Sequence, residues 1–511
     1  MGSHVITGSS SARSAVVALA ALFLACASPP RQRLVTVPAP AAPVAEPNLA
    51  LRAGIVSVRV TGQDWNGRAP WEKQQPWTRT VTGLVVGGRR ILVASTAFGN
   101  PLLVEAQKLG SEERSVARVT LVDHEGPLAL VEVDDPAFWQ GLAPLPIAPR
   151  MPTEGAATIH RWQPGVLDSY AGSVRQVRAG RHGLSQTTLL TLDVASGTDG
   201  LGESEVVVSE GQVVGLLTGR SGDTYAAIAA PVLAQFLAGA DQNDWRGFAR
   251  AGLAWQDLTN PALRGALGLR AGESGVRLTH VVPNGSGAGV LRPGDVLLEV
   301  GGFALDATGR YQHPLYGRML FAQLFSDGRK PGETIAAKVL RDDQRLELTL
   351  PLRRMLPEDD TVPPYVYGHG PEYVIAGGLV LQELTRSYLA VWGDWARRAP
   401  ARLLIAVDRD ALAPDAPHRF VLLSTVLPDV ANLGYQDMHD LIVQKVNGRR
   451  IGSLADLRQA LAQPSGPYHV IELLPGQGAR WIAIDAEQAK ASVARLRQAY
   501  GVERMDSAEE H

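Results

Sequence analysis

Short runs of β-type residues, separated by glycine, proline and charged residues, fill the chain from about residue 51 to residue 240. Their spacing is typical of an all-β barrel or sandwich, and a helical pattern appears only near the end of this part, at Pro231–Leu237. The runs are Ile55–Val60, Val81–Val86, Arg90–Ser95, Ser115–Val122, Leu128–Val133, Thr187–Leu192, Glu205–Val208 and Val213–Leu217. The sequence therefore predicts a mainly β domain here.

The length and the charge of the chain limit its organisation and its partners. At 511 residues it is too long for a single hydrophobic core, and about three domains are expected. Its 49 basic and 51 acidic residues nearly balance, so the composition gives no reason to expect a nucleic-acid partner. His160 and His182 follow no metal-ligand spacing and have no cysteine partners, so we expect no metal and no cofactor.

The N-terminal residues have the composition of a targeting signal. Arg13 precedes an uninterrupted apolar run, Ala15–Ala25, which is much shorter than the roughly 20 residues that span a bilayer. The run ends at Phe23-Leu24-Ala25-Cys26, which resembles a bacterial lipobox with phenylalanine in place of the usual aliphatic residue. We therefore expect residues 1–26 to be a lipoprotein signal peptide, and an ordinary signal peptide cleaved nearby is the alternative.

Cys26 is the only cysteine of the chain, so it cannot form an internal disulfide. Its expected role is lipidation at the N-terminus of a mature lipoprotein, anchored in the bacterial cell envelope and facing the periplasm. Residues 27–50 are rich in proline and alanine, and this composition favours an extended tether that holds the folded part off the membrane. No other segment of the sequence is hydrophobic enough to predict a transmembrane helix.

A glycine-rich loop, Gly197–Gly202, precedes two apolar runs that form a predicted β-hairpin. This loop and hairpin resemble the nucleophile region of the HtrA/Deg branch of the trypsin-like serine proteases. In that family the second run reads G-x-V-V-G-I, and Gly211–Leu216 reads GQVVGL here. Thr82–Phe98 and Asp123–Leu130 also resemble segments of the family. The resemblance implies a trypsin-like double β-barrel over residues 51–240.

The positions that carry catalysis in this family are occupied by other residue types. In the register set by the resemblance, Thr96 stands at the position of the histidine, Pro127 at that of the aspartate and Gly202 at that of the serine. The reaction needs a nucleophile, an imidazole base and a carboxylate that orients the imidazole, and these residues supply none of the three. The resemblance therefore implies a protease fold without protease activity, that is, a pseudoprotease.

An alternative keeps an active endopeptidase by moving the catalytic site to neighbouring residues. The candidates are Ser95, His124, Asp199, Glu203, Ser204 and Glu205. Along a strand, a shift of one residue reverses the side-chain face, and a shift of two moves the side chain by about 7 Å, far outside hydrogen-bond reach. The competing interpretation is that these are solvated loop residues.

Residues 248–355 resemble a PDZ domain of the HtrA/Deg arrangement. The most specific signal is Ser286–Gly302, SGAGVLRPGDVLLEVGG, which is close to the family's pattern of a short helix, a glycine turn and a buried strand. PDZ domains bind an extended peptide as an added strand, and backbone amides of a glycine-containing loop capture its terminal carboxylate. Gly252, Leu253 and Ala254 are the predicted loop residues.

Residues 368–485 resemble the second PDZ domain of plant-type Deg proteins. The resemblance is carried by the opening of the domain, PEYVIAGGLVLQELT, in which Gly378, Leu379 and Val380 are the predicted peptide-binding residues. In that subfamily the second PDZ domain acts in assembly contacts more than in substrate capture, and the resemblance implies the same role here. Residues 486–511 are expected to form a polar helix and a solvated, polar tail.

Trp65, Trp71 and Trp77 lie close together in the sequence near the N-terminal end of the barrel domain. HtrA/Deg barrels often form trimers through aromatic contacts in this region, so the resemblance implies a homo-oligomer, namely a trimer. The alternative is that the three side chains pack locally against the barrel under a long loop, since tryptophan is enriched both in interfaces and in cores.

The expected function is that of a lipid-anchored, catalytically inactive HtrA/Deg-like protein that binds peptide segments or C-termini of envelope proteins through its PDZ domains. Such a protein would serve as an adaptor, a chaperone-like protein or a regulator. Two alternatives are an active serine endopeptidase of envelope quality control with a non-standard site, and an oligomeric structural scaffold. Gly202 argues against the endopeptidase, and an accessible groove beside Gly252 and Ala254 would argue against the scaffold.

Overall fold

The computed structural model describes residues 49–163, 165–183, 187–407 and 418–509. The predicted signal peptide, Cys26 and nearly all of the predicted tether lie outside these residues. Within the described ranges, none of the helices is long and apolar enough to cross a membrane.

The first domain is a closed six-stranded barrel that follows a short helix, α1 (Leu49–Gly54). Its strands are β1 (Ile55–Gly62), β2 (Trp77–Val86), β3 (Arg90–Ala94), β4 (Pro101–Gln107), β5 (Arg114–Asp123) and β6 (Leu128–Glu132). They follow the order β1-β2-β3-β6-β5-β4 around the barrel. Alternate residues point to opposite faces of a strand. Val56, Val58 and Val60 accordingly belong to the core of this barrel, whereas Leu92 and Leu130 join a second core shared with the next domain.

The second domain is another closed six-stranded barrel. Its strands are β7 (Gly155–Gln163), β8 (Val166–His182), β9 (Thr187–Ser196), β10 (Val206–Ser209), β11 (Gln212–Ser221) and β12 (Thr224–Ala229), in the order β10-β11-β12-β9-β8-β7. Helix α2 (Ala230–Asp241) follows, with Pro231 in its first turn, where a missing N–H costs no helical hydrogen bond. The barrels are joined by buried bonds, such as the one from Trp162 N to Thr82 Oγ1 at 3.0 Å.

The third part is a small sheet with one hairpin beside it, as expected for a PDZ domain. Its elements are β13 (Leu253–Asp257), α3 (Pro261–Ala266), β14 (Val276–Val281), β15 (Val296–Val300), β16 (Phe303–Ala304), β17 (Arg310–His313), β18 (Gly317–Leu320), β19 (Thr334–Arg341) and β20 (Gln344–Pro351). The sheet order is β13-β14-β15-β19-β20, and β17 pairs with β18. Asp295 is buried in the turn before β15, where it accepts from Arg292 N at 2.9 Å and pairs with Arg341.

The fourth part is a second sheet with helices around it. Its elements are β21 (Tyr373–Ala376), β22 (Leu379–Glu383), α4 (Arg386–Leu389), α5 (Trp395–Arg398), α6 (Ala401–Val407), β23 (Val421–Val426), β24 (Leu441–Val446), β25 (Arg449–Arg450), α7 (Leu454–Leu461), β26 (Tyr468–Leu473), β27 (Trp481–Asp485) and α8 (Ala486–Tyr500). The sheet order is β21-β22-β23-β24-β26-β27. The predicted mainly β architecture, a double barrel followed by two PDZ domains, is confirmed.

The residues after α8 depart from the sequence expectation. Val502 and Met505 are buried against β21, and Ile375 N donates to Met505 O at 2.6 Å. Ser507 N donates to Tyr373 O at 3.0 Å. The described part of the C-terminal segment, residues 501–509, is therefore a structural part of the second PDZ domain and not a solvated tail, because its apolar side chains complete one of the hydrophobic clusters of that domain.

Candidate functional site

Two of the three residues at the predicted triad positions lie on facing loops of the two barrels, and the third lies in a separate turn. Thr96 begins a 3₁₀ turn, Thr96–Phe98, after β3. Gly202 lies in the loop between β9 and β10, while Pro127 is buried in the turn between β5 and β6. The cleft between the barrels thus contains Thr96 and Gly202, the residues that the sequence predicts at the positions of the family's base and nucleophile.

A carboxylate that the triad comparison did not single out spans this cleft. Glu203 Oε2 accepts from Ser95 Oγ at 2.6 Å and from Thr96 N at 3.2 Å, while its Oε1 accepts from Thr96 Oγ1 at 3.0 Å. Arg79 forms an ion pair with Glu203 at 3.3 Å and also donates to Thr96 Oγ1 at 3.2 Å. We call Glu203, Ser95, Thr96 and Arg79 the inter-barrel clamp.

A second carboxylate engages the backbone amide of Gly202, the residue at the predicted nucleophile position. In chymotrypsin-like proteases the N–H of the nucleophilic residue is one donor of the oxyanion hole. Here Gly202 N donates to Glu205 Oε1 at 2.8 Å. Glu205 is only 4% exposed, and burial raises the pKa of its carboxyl. This amide is consequently turned toward a side chain of its own loop.

Of the residues of the relocated-triad alternative, Ser95 and Glu203 bond to each other in the clamp, and the others are engaged in separate contacts. Ser204 is fully buried, and its Oγ accepts from Ala94 N at 2.9 Å. His124 packs edge-on against Tyr365 and at a tilt against Tyr367, with ring centroids 5.3 and 4.6 Å away, and burial lowers its pKa to about 4. Asp199 pairs with Arg220 on the surface. Among the described residues, no hydrogen bond links Ser204 to a histidine.

His160 and His182 lie in the second barrel and bond to hydroxyl groups. His160 Nδ1 lies 2.9 Å from Ser169 Oγ, and His182 Nε2 lies 2.6 Å from Thr191 Oγ1. Burial lowers the pKa of each to about 4. Across the described ranges, there is no group of three or more histidine, cysteine, aspartate or glutamate side chains that could hold a metal ion.

The segment between the two PDZ domains covers one end of the cleft. Gly368 N donates to Asn100 Oδ1 at 3.2 Å, and Tyr367 lies directly on Gly99. A Cβ at Gly99 would lie 2.3 Å from Tyr367 Cε1, so this position leaves no room for a side chain. The chain's own residues therefore occupy the surface beside Thr96.

The first PDZ domain presents a strand edge beside a glycine loop. Strand β13 pairs with β14 on one side only, so its other edge is open within the described structure. Gly252 begins the loop with φ of +64°, a left-handed conformation that favours glycine. Val282 N donates to Gly252 O at 2.8 Å, which fixes the loop against the end of β14.

A cavity of about 200 Å³ lies beside this edge. Apolar side chains of Leu253, Trp255 and Leu320 line it, and Arg181 and Thr188 reach it from the second barrel. Trp255 packs edge-on against Phe321 with ring centroids 4.9 Å apart, which joins β13 to the 3₁₀ turn after β18. Predicted loop residues Gly252 and Leu253 line the cavity, and Ala254 follows them on β13.

The corresponding residues of the second PDZ domain are enclosed. Leu379 and Val380 are fully buried, and β22 pairs with β21 on one side and with β23 on the other. A Cβ at Gly378 would lie 2.4 Å from Leu427 O. The edge to which a peptide would add is thus occupied by the chain's own strand β21, so Gly378, Leu379 and Val380 are not available for strand addition in this structure.

Comparisons with known proteins agree with this organisation. A family model described as PDZ domain matches residues 362–509, which include the C-terminal segment that packs on β21. The chain is 26% identical over 416 residues to putative protease Do-like 12, mitochondrial, of Arabidopsis thaliana, covering 80% of this chain and 77% of that protein. The chloroplastic protease Do-like 2 of the same plant is 25% identical over 413 residues, with 79% and 67% covered. The chain is a homologue of the HtrA/Deg proteases.

Two solved structures resemble this HtrA/Deg homologue over part of its length. The HtrA-type protease AlgW with decapeptide is 17% identical with a TM-score of 0.45, and the match covers 60% of this chain and 98% of that one. A serine endoprotease from Yersinia pestis is 15% identical with a TM-score of 0.40, covering 60% and 97%.

The three tryptophans of the HtrA/Deg homologue have separate surroundings. Trp71 packs edge-on against Tyr373 of the second PDZ domain, with ring centroids 5.8 Å apart. Trp77 Nε1 donates to Asp64 at 2.8 Å, and Lys73 lies over the ring of Trp65. The loop that carries Trp65 and Trp71 thus packs on the C-terminal domain of the same chain, which the sequence analysis did not predict. Trp77, the first residue of β2, packs against the core of the first barrel, as the local-packing alternative expects.

Sequence reasoning missed the structural role of two acidic residues and one tyrosine. Glu203 and Glu205 were predicted only as candidate catalytic carboxylates, and no role was predicted for Tyr367. The available signal was that carboxylates flank Ser204 in the loop where the family has small residues. These flanking carboxylates could indicate an altered loop. They could not indicate that Glu203 reaches Thr96 in the other barrel.

Proposed function

We propose that this HtrA/Deg homologue is a catalytically inactive, peptide-binding protein whose first PDZ domain captures extended segments or C-termini of other proteins. One observation carries the proposal. The Glu203 carboxylate is fully engaged by Ser95, Thr96 and Arg79 in the cleft where the family's nucleophile and base would meet. The cleft is thus built as a contact between barrels, and the open strand edge lies elsewhere, at β13.

The loss of catalysis follows from the chemistry that the cleft offers. Acyl transfer needs a nucleophile with a base within hydrogen-bond reach, and donors aimed at the developing oxyanion. Gly202 has no side chain, and its amide is engaged by Glu205. Thr96 cannot accept a proton as a base at neutral pH, and its hydroxyl is already bonded to Glu203. Ser204 is buried and bonded to the backbone of Ala94.

Peptide capture is supported by the first PDZ domain. An added strand needs an unpaired edge, a loop that donates amides to a carboxylate, and a pocket for the terminal side chain. Strand β13, the loop at Gly252 and the apolar side chains of Trp255 and Leu320 provide these three elements. The ligand class that fits is an extended peptide with an apolar C-terminal residue.

A structural role for the second PDZ domain is favoured by its closed edge. Strand β22 is the strand to which a peptide would add, and its edge is already paired with β21. Strand β21 is in turn covered by the C-terminal segment. The loop of Trp71 packs on this domain as well. We assign this domain a structural role rather than peptide capture. It would hold together the domains of the chain, or the subunits of an oligomer such as a trimer.

The location is proposed from the sequence alone. Cys26 at the end of a short apolar run supports a lipid anchor, and the proline-rich residues 27–50 support a tether. The proposed protein faces the periplasm, where its clients would be envelope proteins.

Cleavage of unfolded casein tests the loss of activity. We expect no cleavage by the purified full-length protein and none by Ser204→Ala. Sustained cleavage by the wild-type chain that Ser204→Ala abolishes would contradict the proposal and establish a relocated nucleophile.

Binding of a fluorescent peptide with an apolar C-terminal residue tests the capture site. A Cβ at Gly252 would lie 2.8 Å from Gly285 Cα, so Gly252→Ala must displace the loop, and we expect at least about tenfold weaker binding. Gly289→Ala is the matched control, because Gly289 has φ of +81° with open space around its Cβ position. Equal affinity of the two variants would argue against this site, as would equal binding of a C-terminally amidated peptide.

A further inference from the structure

One wall of the groove in the first PDZ domain comes from the second barrel. The cavity beside β13 is lined by Arg181 and Thr188 as well as by Leu253 and Trp255. Arg181 lies on β8 and Thr188 on β9, and the two residues are opposite each other in the register of these strands. Cross-strand partners share one face of a sheet. Both side chains therefore lie on the face of the barrel that borders the groove.

Hydrogen bonds between the second barrel and the first PDZ domain hold this wall in place. Ser326 directly follows the 3₁₀ turn after β18, and its Oγ donates to Thr188 O at 2.7 Å. On helix α2, Gln235 Nε2 donates to Arg329 O at 2.9 Å. The two bonds attach the barrel to the domain that carries the groove, so Arg181 keeps its position beside β13.

The charge of Arg181 is accessible to a ligand. Its side chain is exposed, and among the described residues no ion pair or hydrogen bond holds its guanidinium. Arg250, the other arginine of the lining, is close enough to Glu125 for its charge to oppose the rise of the pKa of that carboxyl. Within the described ranges, no aspartate or glutamate lines the cavity. The groove therefore presents a positive charge that no carboxylate of its own lining neutralises.

The length of the cavity sets which part of a peptide lies beside Arg181. The lining extends along β13 from Gly252 to Trp255, and a strand rises about 3.3 Å per residue, so this length is about 10 Å. A peptide held by its carboxylate at the Gly252 loop places its C-terminal residue and the three residues before it along this length. The loop amides bind the terminal carboxylate. The guanidinium on the barrel wall is therefore left for a side chain.

We propose that Arg181 makes the groove selective for peptides that carry an aspartate or glutamate among the three residues before an apolar C-terminal residue. This selectivity rests on the proposed peptide capture by the first PDZ domain. A carboxylate accepts two parallel hydrogen bonds from a guanidinium, and the opposite charges strengthen both bonds. A lysine at the same place in the peptide would meet two like charges, from Arg181 and Arg250.

Pairs of labelled peptides that differ in one charge test the selectivity on the purified full-length protein. The parent peptide has four alanines followed by a C-terminal valine, and each of the three alanines before the valine is replaced in turn by aspartate or by asparagine. Fluorescence anisotropy measures the affinity. We expect aspartate to bind about fivefold more tightly than asparagine at one of these positions in low-salt buffer. High salt should remove most of this difference, because it screens the ion pair.

Arg181→Gln removes the charge and keeps a polar side chain at the same place. We expect this variant to bind the aspartate and asparagine peptides equally, with the affinity of the wild type for the asparagine peptide. Arg175→Gln is the matched control, because Arg175 is an exposed arginine of the same strand that does not line the groove. The control should keep the preference of the wild type for aspartate.

The outcomes separate the selectivity from peptide capture itself. If the asparagine peptides bind and aspartate gains nothing at any of the three positions, the selectivity is wrong and capture stands. If Arg181→Gln weakens the asparagine peptide as much as the aspartate peptide, Arg181 binds the terminal carboxylate, and the selectivity is again wrong. If the wild type binds none of the peptides, capture fails and the selectivity fails with it. The comparison of peptides on the wild type decides the question even if a variant does not fold.

Discussion

The carboxylate of Glu203 lies in the cleft between the two barrels, beside Ser95 and Thr96. It accepts from two groups of Thr96 and one of Ser95, so the charge is neutralised by hydrogen bonds as well as by Arg79. Hydrogen bonds to a charged group are stronger than those between neutral groups. This side chain therefore forms a contact that holds the two barrels together.

Glu203→Ala should loosen the clamp without producing an enzyme. The variant leaves the donors of Ser95 and Thr96 without their acceptor, and the side chain is only one-quarter exposed, so solvent replaces it incompletely. We expect amide exchange of Thr96 to become about 30-fold faster, equivalent to about 2 kcal/mol of lost local stability. Hydrogen exchange with single-residue resolution measures this.

Glu203→Gln is the control for this change, because it keeps the length and one acceptor oxygen. Its exchange rate at Thr96 should lie between those of the wild type and Glu203→Ala. Casein should remain uncut by both variants. Unaltered protection of Thr96 in Glu203→Ala would show that the clamp does not stabilise the 3₁₀ turn.

At the scale of elements, the two PDZ domains differ in what covers the strand after the glycine loop. In the first domain β13 is the last strand of its sheet, whereas in the second domain β22 has β21 beside it. Strand β21 is itself held by the C-terminal segment, through the bond of Ile375 to Met505 and the bonds of Tyr373 to Ser507. The difference explains why we assign peptide capture to the first domain alone.

Val502→Ala tests whether the C-terminal segment holds β21 in place. Val502 is fully buried, so the substitution removes two methyl groups from a packed site and should cost about 2 kcal/mol. We expect about 30-fold faster exchange of the β21 amides, measured by hydrogen-exchange mass spectrometry. Val430→Ala is the matched control, since Val430 in the same domain is 60% exposed and should change exchange little. The same exchange in both variants would contradict the assignment.

Of the twelve strands of the two barrels, the sequence predicted eight and missed β4, β7, β8 and β12. Residues of β8 point partly to solvent and include arginine and glycine, and Leu102 and Leu103 of β4 are 56% and 42% exposed. Such strands are defined by pairing with neighbours far along the chain, which a local pattern does not record.

The same limit applies to the candidate site. The assignment of Thr96, Pro127 and Gly202 to the triad positions rests on local motifs and stays a prediction. Glu203 contacts residues more than 100 positions earlier in the chain, and Tyr367 reaches Gly99 from the segment between the PDZ domains. Both contacts arise only when domains pack together, so a local motif could not predict them.

At the scale of the whole molecule, a buried polar cluster joins the first barrel to the end of the first PDZ domain. Glu125 is fully buried and pairs with Arg354 at 3.0 Å. Asp123, also fully buried, accepts from Trp245 Nε1 at 3.0 Å, and Tyr365 Oη lies 3.5 Å from Glu125. The cluster fastens the first barrel to the chain on either side of the first PDZ domain, so its protonation should affect the stability of the whole assembly of domains.

Burial raises the pKa of Glu125 to about 7, with a further increase from the nearby Asp123 charge and a partial offset from Arg354. Because its pKa in the folded protein lies above the unfolded value, Glu125 stabilises the fold fully below pH 4.5, and this contribution is lost as the pH rises through about 7. Burial raises the pKa of Asp123 as well, so both carboxyls act in the same direction. We expect the midpoint of thermal unfolding to fall between pH 5 and pH 8.

Glu125→Gln should flatten this dependence, because glutamine keeps the shape of the side chain and does not titrate. A pKa difference of this size corresponds to a change on the order of 3 kcal/mol in the free energy of unfolding. Asp123 still titrates in the variant, so its part of the pH dependence remains. Calorimetric melting curves of the wild type and the variant over this range measure it. Glu210→Gln, in the exposed turn between β10 and β11, should keep the wild-type slope. An unchanged slope in Glu125→Gln would mean that the pH dependence arises elsewhere, because the buried carboxyl would then be ionised in the folded and unfolded chain alike.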